Sequence, residues 1–316
     1  MNWIKQLKDG QSITPSLDFY AYVENGEVKS TQAGKEYLDA NISDGSSSIN
    51  CKVWAVNQNM KDALKSGNCI SVEAGAVGIY NDKPQLKLTR VLLVEISEGV
   101  KKGLLPQSNQ DIGSLLTSFH AFIKEPWQNQ IMAKFQDKFE TVWEKFITYP
   151  AAKSVHHAYI RGLIEHSVSV ATIATSMAKA LKKGGYEVNI PVVSFGALIH
   201  DIGKIQEFEI NPAGLCDDYT PAGNLIGHLS LGVPMFASIS TGSDISNNDK
   251  LNIMHIIASH HDKAEWGAVK PPSTIEAMIV AKADMIDCEA NMIRREFKDN
   301  EDTKVRTYHM GTVYKL

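Results

Sequence analysis

A chain of 316 residues with 43% hydrophobic content can bury a large core spread over one to three domains. A net charge of −4 and a pI near 6.2 exclude a globally basic nucleic-acid footprint, although a local groove could still be positive. Cys51, Cys69, Cys216 and Cys288 are far apart and form no Cys-x-x-Cys, which excludes a zinc ribbon and points to reduced thiols rather than a disulfide framework.

The start of the chain, Met1-Asn2-Trp3-Ile4-Lys5-Gln6, lacks the apolar core of a signal peptide. No apolar run is expected to be long enough for a bilayer span, so the expectation is a cytoplasmic protein with no membrane partner. Residues from about 14 to 97 read as strands. Residues 17–23 are apolar with aromatic and β-branched members, and Asn25-Gly26 follows as a turn signal. Residues 37–42 form a second run, closed by Asp44-Gly45. Residues 48–56 alternate, with Ile49, Cys51 and Val53 on one face and Asn50, Lys52 and Trp54 on the other. Residues 57–65 read as a helix between strands. Residues 69–74 and 75–80 give two further runs, and Asn81-Asp82 turns the chain into a last strand over residues 85–94. Short strands at this spacing, with one helix among them, predict a small OB-like barrel over residues 1–97.

On such a barrel Trp54, Tyr80 and Phe19 are candidates to stack bases, and Lys52, Lys83 and Lys87 to meet phosphates. Strand aromatics are more often core, and this segment holds 10 Lys and Arg against 11 Asp and Glu. Residues 98–111 carry Gly99, Gly103 and Pro106 without periodicity and read as a linker. From residue 112 to the end the pattern is helical, with a C-terminal tail from Arg306. Leu115, Phe119, Phe122 and Ile123 share a face, and Ile131, Phe135, Phe139, Val142 and Phe146 recur at helical steps until Tyr149-Pro150. A long helix opens at Gly162 and stops at Gly184-Gly185. Residues 192–200 form the next, residues 211–224 read as loop, and helical pattern resumes near Ile226. Residues 247–261 and 274–297 give the last two helices. The whole is expected to be an α+β multidomain chain, a barrel followed by an all-α domain.

The helical part carries Gly196-Ala197-Leu198-Ile199-His200-Asp201-Ile202-Gly203-Lys204, an apolar run ending in adjacent imidazole and carboxylate donors. Around it stand His166, His228, His260, His261 and Asp284. All fall on predicted helices or helix ends, and the donor types suit Mn, Fe, Co, Ni or Zn. His255 lies about 140° round its helix from His260 and points elsewhere; His120 and His309 fall outside the pattern. Asp287, about 60° from Asp284, is placed to hold a ligand from behind.

His166, His200-Asp201 and Asp284 resemble the HD-domain metal-dependent phosphohydrolases, whose pattern is a His, a His-Asp pair and a distant Asp. His228 and His260-His261 match the subset with two metals. A narrower resemblance is to the YhaM family of 3′→5′ exoribonucleases, which place an OB-type domain before the HD domain. It rests on Tyr149-Pro150-Ala151-Ala152, His156-His157, Gly223-Asn224-Leu225-Ile226-Gly227-His228, and Ser259-His260-His261-Asp262-Lys263-Ala264-Glu265-Trp266-Gly267. Lys52-Val53-Trp54 and Lys83-Pro84-Gln85-Leu86-Lys87 resemble family signatures too.

The resemblance implies phosphodiester hydrolysis at two divalent ions, manganese foremost, with Fe, Co, Ni and Zn also accepted. Asp201 would bridge them, with His166, His200 and Asp284 on one ion and His228, His260 and His261 on the other. Lys204 either reaches a phosphate oxygen or is a solvated lysine past a helix. His156, His157 and Arg161 either touch the substrate near the scissile phosphate or are capping and exposed groups. The implied partner is single-stranded RNA, with single-stranded DNA as a second substrate, and a homo-oligomer could help confine the strand. Two rival readings stand beside this one. The same metals could serve a phosphodiesterase of cyclic or small nucleotides, although the Gly-Tyr-Pro of the cyclic-dinucleotide branch is missing. A non-catalytic oligonucleotide-binding protein would keep the barrel and lose the ligands.

Overall fold

A computed structural model describes residues 3–7, 12, 13, 19–137, 139–298, 303–307 and 310–316; Leu17 and Asp18 of the first expected strand, and His309, lie outside them. The chain forms two compact units, residues 1–107 with 210–217 and residues 108–209 with 218–316.

In the first unit, α1 (Trp3–Gln6) and the short β1 (Ser12–Ile13) precede five long strands. These are β2 (Phe19–Ser30), β3 (Glu36–Ser43), β4 (Ser48–Val53), β5 (Cys69–Tyr80) and β6 (Lys83–Leu93). Antiparallel pairings run β5–β2–β3–β4, β4 pairs parallel with β6, and β6 returns antiparallel to β5. That closes a five-stranded OB barrel. Alternation along β4 buries Ile49, Cys51 and Val53 as the sequence predicts, beside Val23, Leu38, Ile42, Ile70, Val72 and Leu86. The expected helix is α2 (Gln58–Ala63), capped by Asn57 Oδ1 accepting from Met60 N at 2.9 Å, and it buries Met60 and Ala63.

Three expectations for this unit change. Asn25-Gly26 is no turn: β2 runs through it with a register shift between Val23 and Asn25. Gly26 is needed for close approach, since a Cβ there would lie 2.0 Å from the Leu64 carbonyl oxygen. The two runs over 69–80 are one strand with irregular register near Ala74. Residues 98–104, expected as linker, form α3 (Glu98–Leu104). Its buried Leu104 and the following Leu105 are too few to give a periodic signal. Asn81-Asp82 does turn as read, both residues at positive φ, between the paired Tyr80 and Lys83.

The second unit contains α4 (Ile112–His120), α5 (Pro126–Asp137), α6 (Glu140–Thr148), α7 (Gly162–Lys183), α8 (Ile190–Ile199) and α9 (Lys204–Glu207). After the hairpin β7 (Phe208–Ile210) and β8 (Cys216–Tyr219) come α10 (Pro221–Ile239), α11 (Asn247–Ser259) and α12 (Ile275–Lys298), then the terminal hairpin β9 (Lys304–Thr307) and β10 (Gly311–Tyr314). Its core joins Phe119, Phe135, Phe146, Leu163, Val170, Phe195, Leu198, Phe236, Ile256 and Val280.

Residues 211–224 are not a loop throughout. Pro221 and Gly223 read as breakers, yet a proline in the first turn suits a helix start, and Thr220 Oγ1 caps Gly223 N at 3.0 Å. The helix therefore begins five residues before Ile226 and breaks at Gly227 (φ 76°, ψ 155°). α10 is also an exception to the expectation that no segment reaches membrane-span length, since an 18-residue window within its 19 residues has a mean hydropathy of 1.2. The break at Gly227 divides it, and it delivers His228 to a buried polar cluster.

Candidate metal centre

The seven donors singled out in the sequence converge from five helices. His166 lies in the first turns of α7, His200 and Asp201 follow α8, His228 follows the break in α10, His260 and His261 follow α11, and Asp284 lies on α12. All but His261 are buried. Ionisable groups at such depth need partners to offset lost hydration.

The two oxygens of Asp201 face different partners. Oδ2 is 3.4 Å from His166 Nε2 and 3.4 Å from His200 Nε2, and Asp284 Oδ1 completes that side 3.2 Å from His166 Nε2. Oδ1 is 3.4 Å from His260 Nε2 and 3.5 Å from His228 Nε2; His261 Nε2 completes the second side, 3.2 Å from His228 Nε2.

Every one of the five imidazoles is aimed through its other nitrogen. Nδ1 meets Asp287 Oδ2 in His166 (2.7 Å), the Ala197 carbonyl in His200 (2.7 Å) and Glu207 Oε1 in His228 (2.9 Å). It meets the Ile257 carbonyl in His260 (3.0 Å) and the Trp266 carbonyl in His261 (2.8 Å). All these partners are acceptors, so Nδ1 donates and each ring, when neutral, turns its Nε2 lone pair inward. Lone pairs facing one another repel unless a proton or cation lies between them. Asp201 Oδ1 and His260 Nε2 are buried and lack any hydrogen-bond partner. A divalent cation fits there: it satisfies both orphaned atoms, and imidazole with carboxylate is its usual donor set.

Electrostatics agree. Burial pulls His260 down to about 3 and lowers His261, keeping both neutral and able to ligate. For Asp201 burial opposes ionisation, but the Lys204 charge and the bonds from the neighbouring histidine rings hold it well below the usual carboxylate range; Asp284 is held there by His166 against the same opposition. Burial works against a charge on His166 too, and its bonds to Asp201, Asp284 and Asp287 overcome it, raising the ring well above an ordinary histidine. Partnered by three carboxylates, His166 therefore favours its protonated form until the pH climbs through that raised value. A cation must displace that proton. Affinity for Mn2+ should therefore rise by about tenfold per pH unit from acid to neutral pH, read by titrating metal-stripped protein at successive pH values. An affinity that ignored pH would mean that His166 is already neutral.

Lys204 is not solvated. Its Nζ lies 2.6 Å from Asp201 Oδ2 and is buried with it, so it first orients that carboxylate. Gly203 before it is obligatory, since a Cβ would lie 2.0 Å from the His228 carbonyl oxygen.

The remaining candidates separate. His157 is only 3% exposed, bonded through Nε2 to Asp287 Oδ2 (2.9 Å) and through Nδ1 to the Tyr159 hydroxyl (2.8 Å). With both nitrogens engaged it buttresses Asp287 rather than touching substrate. His156 lies with its ring centroid 5.7 Å from that of His166, and burial, with the Lys204 and His166 charges, brings it to about 3; it keeps its place beside the donors. Arg161, the cap residue just before α7, has a left-handed backbone (φ 67°). Phe19 is core at 4% exposure and cannot stack bases. Lys52 is tied to Asp39 at 2.7 Å, so it is no free phosphate contact. Trp54, 44% exposed, stacks on Tyr37 with centroids 5.0 Å apart, and Tyr80 is exposed.

Asp287 supports His166 as expected, and Ser169 Oγ donates to its other oxygen. Sequence reasoning missed Glu207, which accepts from both the ring and the backbone N–H of His228. It also missed Cys288, whose thiol donates to Asp284 Oδ1 at 3.4 Å. The spacing of Cys288, one helical turn past Asp284, could have placed it; no spacing signal leads to Glu207.

Comparison with known proteins follows the same division. The family model of the HD domain matches residues 163–288, and that of an OB-fold nucleic acid binding domain matches residues 23–94. A curated relative from Oceanobacillus iheyensis, the 3′-5′ exoribonuclease YhaM, is 28% identical over 296 residues, covering 92% of this chain and 90% of that protein. The protein of the same name from Bacillus subtilis is 29% identical over 283 residues, covering 88% and 87%. That from Listeria monocytogenes is 27% identical over 298 residues, covering 93% and 91%.

Proposed function

We propose that this chain, an OB-fold domain and an HD domain similar along about nine-tenths of its length to the YhaM exoribonucleases, is a metal-dependent 3′→5′ exonuclease. Its substrate is single-stranded RNA, with single-stranded DNA as a second. The observation that carries this is Asp201 set between two histidine groups, one oxygen toward each. His166, His200, Asp201 and Asp284 would hold one divalent ion, and His228, His260, His261 and Asp201 a second, manganese foremost. Such a pair supplies an activated water and neutralises charge building on the phosphoryl oxygens.

The chain's own groups do the rest. Asp287 and Glu207 fix the two outer histidines, His166 and His228, in the ligating tautomer. Lys204 holds Asp201 and would set a positive charge near the phosphate. His156, its ring centroid 5.7 Å from that of His166 and held neutral by burial, is an imidazole beside the first group. The OB domain exposes Trp54 and Tyr80, aromatic side chains of the kind on which any base can stack. Four cysteines with no disulfide among them suit a cytoplasmic setting.

A 5′-labelled single-stranded RNA incubated with the protein and Mn2+, beside a DNA strand of the same sequence, tests the reading. The expected result is a ladder shortening from the 3′ end. Intact strands, with release of product from small nucleotide phosphodiesters instead, would overturn the exonuclease assignment and keep only the metal chemistry.

A further inference from the structure

Two segments that each supply a donor to the second histidine group also expose large apolar side chains. Leu225 (85% exposed) and Ile226 precede His228, and Trp266 (52% exposed) follows His261. Isolated exposed apolar residues are ordinary. Trp266 is unlike them because its backbone is fixed to the centre. The His261 ring donates through Nδ1 to the Trp266 carbonyl oxygen at 2.8 Å. The short 3₁₀ turn Ala264–Trp266 is closed by Trp266 N donating to the Lys263 carbonyl and by Gly267 at φ 97°. Lys263 Nζ stands 4.3 Å from the centroid of the indole and 3.7 Å from Glu265 Oε1, so the segment that supplies His261 presents a π surface and a cation together.

We infer that Trp266, with Lys263 beside it, is a stacking subsite for the nucleobase at the 3′ end of the strand. This rests on the exonuclease reading. An enzyme that shortens a strand without regard to sequence must hold each new terminal base without reading its edge. An indole face does that, since every base has a π surface, and a neighbouring ammonium can meet the adjoining phosphate. The tie between the Trp266 carbonyl and His261 makes the position of the base and the aim of a metal ligand one mechanical unit.

The test uses the full chain carrying Asp201→Asn, so that strands stay intact, and a short single strand with 2-aminopurine as its 3′-terminal base. Stacking on indole quenches that base. The expected result is quenched emission at saturating protein, recovering several-fold when Trp266→Ala or Trp266→Leu is added, and staying quenched with Trp266→Phe. The same strand with an abasic 3′ end should bind about tenfold more weakly to the Trp266 protein and no more weakly than the normal strand to the alanine or leucine variants. A merely structural role for Trp266 would weaken both ends alike and is detected as an unchanged ratio, which overturns the subsite. Unquenched emission in the Trp266 protein overturns it as well. A quenched terminal base, with no strand shortening by the Asp201 enzyme under Mn2+, leaves the subsite standing and refutes the nuclease reading instead.

Discussion

Replacing Asp201 by alanine should abolish strand degradation, by about a thousandfold or more, and remove bound metal from both histidine groups at once. Asp201 lies between the two sides, with four imidazole nitrogens between 3.4 and 3.5 Å of its two oxygens. Losing several kcal/mol of transition-state stabilisation from the ions corresponds to that factor. The alanine also leaves the Lys204 ammonium buried without its 2.6 Å partner, which costs about 3–5 kcal/mol of stability. Asp201→Asn keeps the volume and an oxygen acceptor for Lys204, and should fold while losing activity nearly as far. Elemental analysis beside the gel assay decides the matter. A folded Asp201→Asn protein with full metal content and full activity would remove the bridging role altogether.

A single methyl group at Gly203 should destabilise the chain by about 2–3 kcal/mol and weaken metal retention at His228, His260 and His261. The added Cβ would stand 2.0 Å from the His228 carbonyl oxygen and 2.8 Å from Gly232 N, both backbone atoms of α10. Neither can rotate away, so the helix carrying His228 must back off from the segment carrying His200 and Asp201. Thermal unfolding of Gly203→Ala should show Tm lower by several degrees, since about 1 kcal/mol is worth about 2–4 °C for a domain of this size. Gly78→Ala is the control: nothing lies within 4 Å of the added atom, and its Tm should barely move. Equal effects from the two substitutions would show that the close approach at Gly203 is not what constrains the site.

The donors were legible because their chemistry is written in residue type and the helices that carry them are strongly periodic. Even the bounds of α7, Gly162–Lys183, follow from a glycine pair at its end. Support from behind was half legible. Asp287 shares a helix with Asp284, so helical phase locates it, whereas Glu207 reaches His228 across a turn that no spacing encodes. Glycine and proline misled where their tertiary reason outweighs their local one. Asn25-Gly26 reads as a turn, but Gly26 is small so that Leu64 can approach; Pro221 reads as a stop but starts a helix. For the barrel, strand pattern tells inside from outside, and so finds the core. It does not say that Lys52 is neutralised by Asp39 across the β3–β4 pair, because register is a property of pairing rather than of either strand.

Five helices that converge on one cluster of donors would also make lifetime depend on metal supply. Ions that bind only the assembled cluster stabilise the native chain by mass action, about 2.7 kcal/mol for each at a free concentration a hundred times its dissociation constant. Deprived of metal, the same helices keep their apolar core but lose the cross-link between α7, α8, α10, α11 and α12. The chain then opens more often and meets proteases more often. Scarcity would lower the number of enzyme molecules as well as the rate of each, tying the cell's capacity to degrade strands to its metal status without any separate sensor.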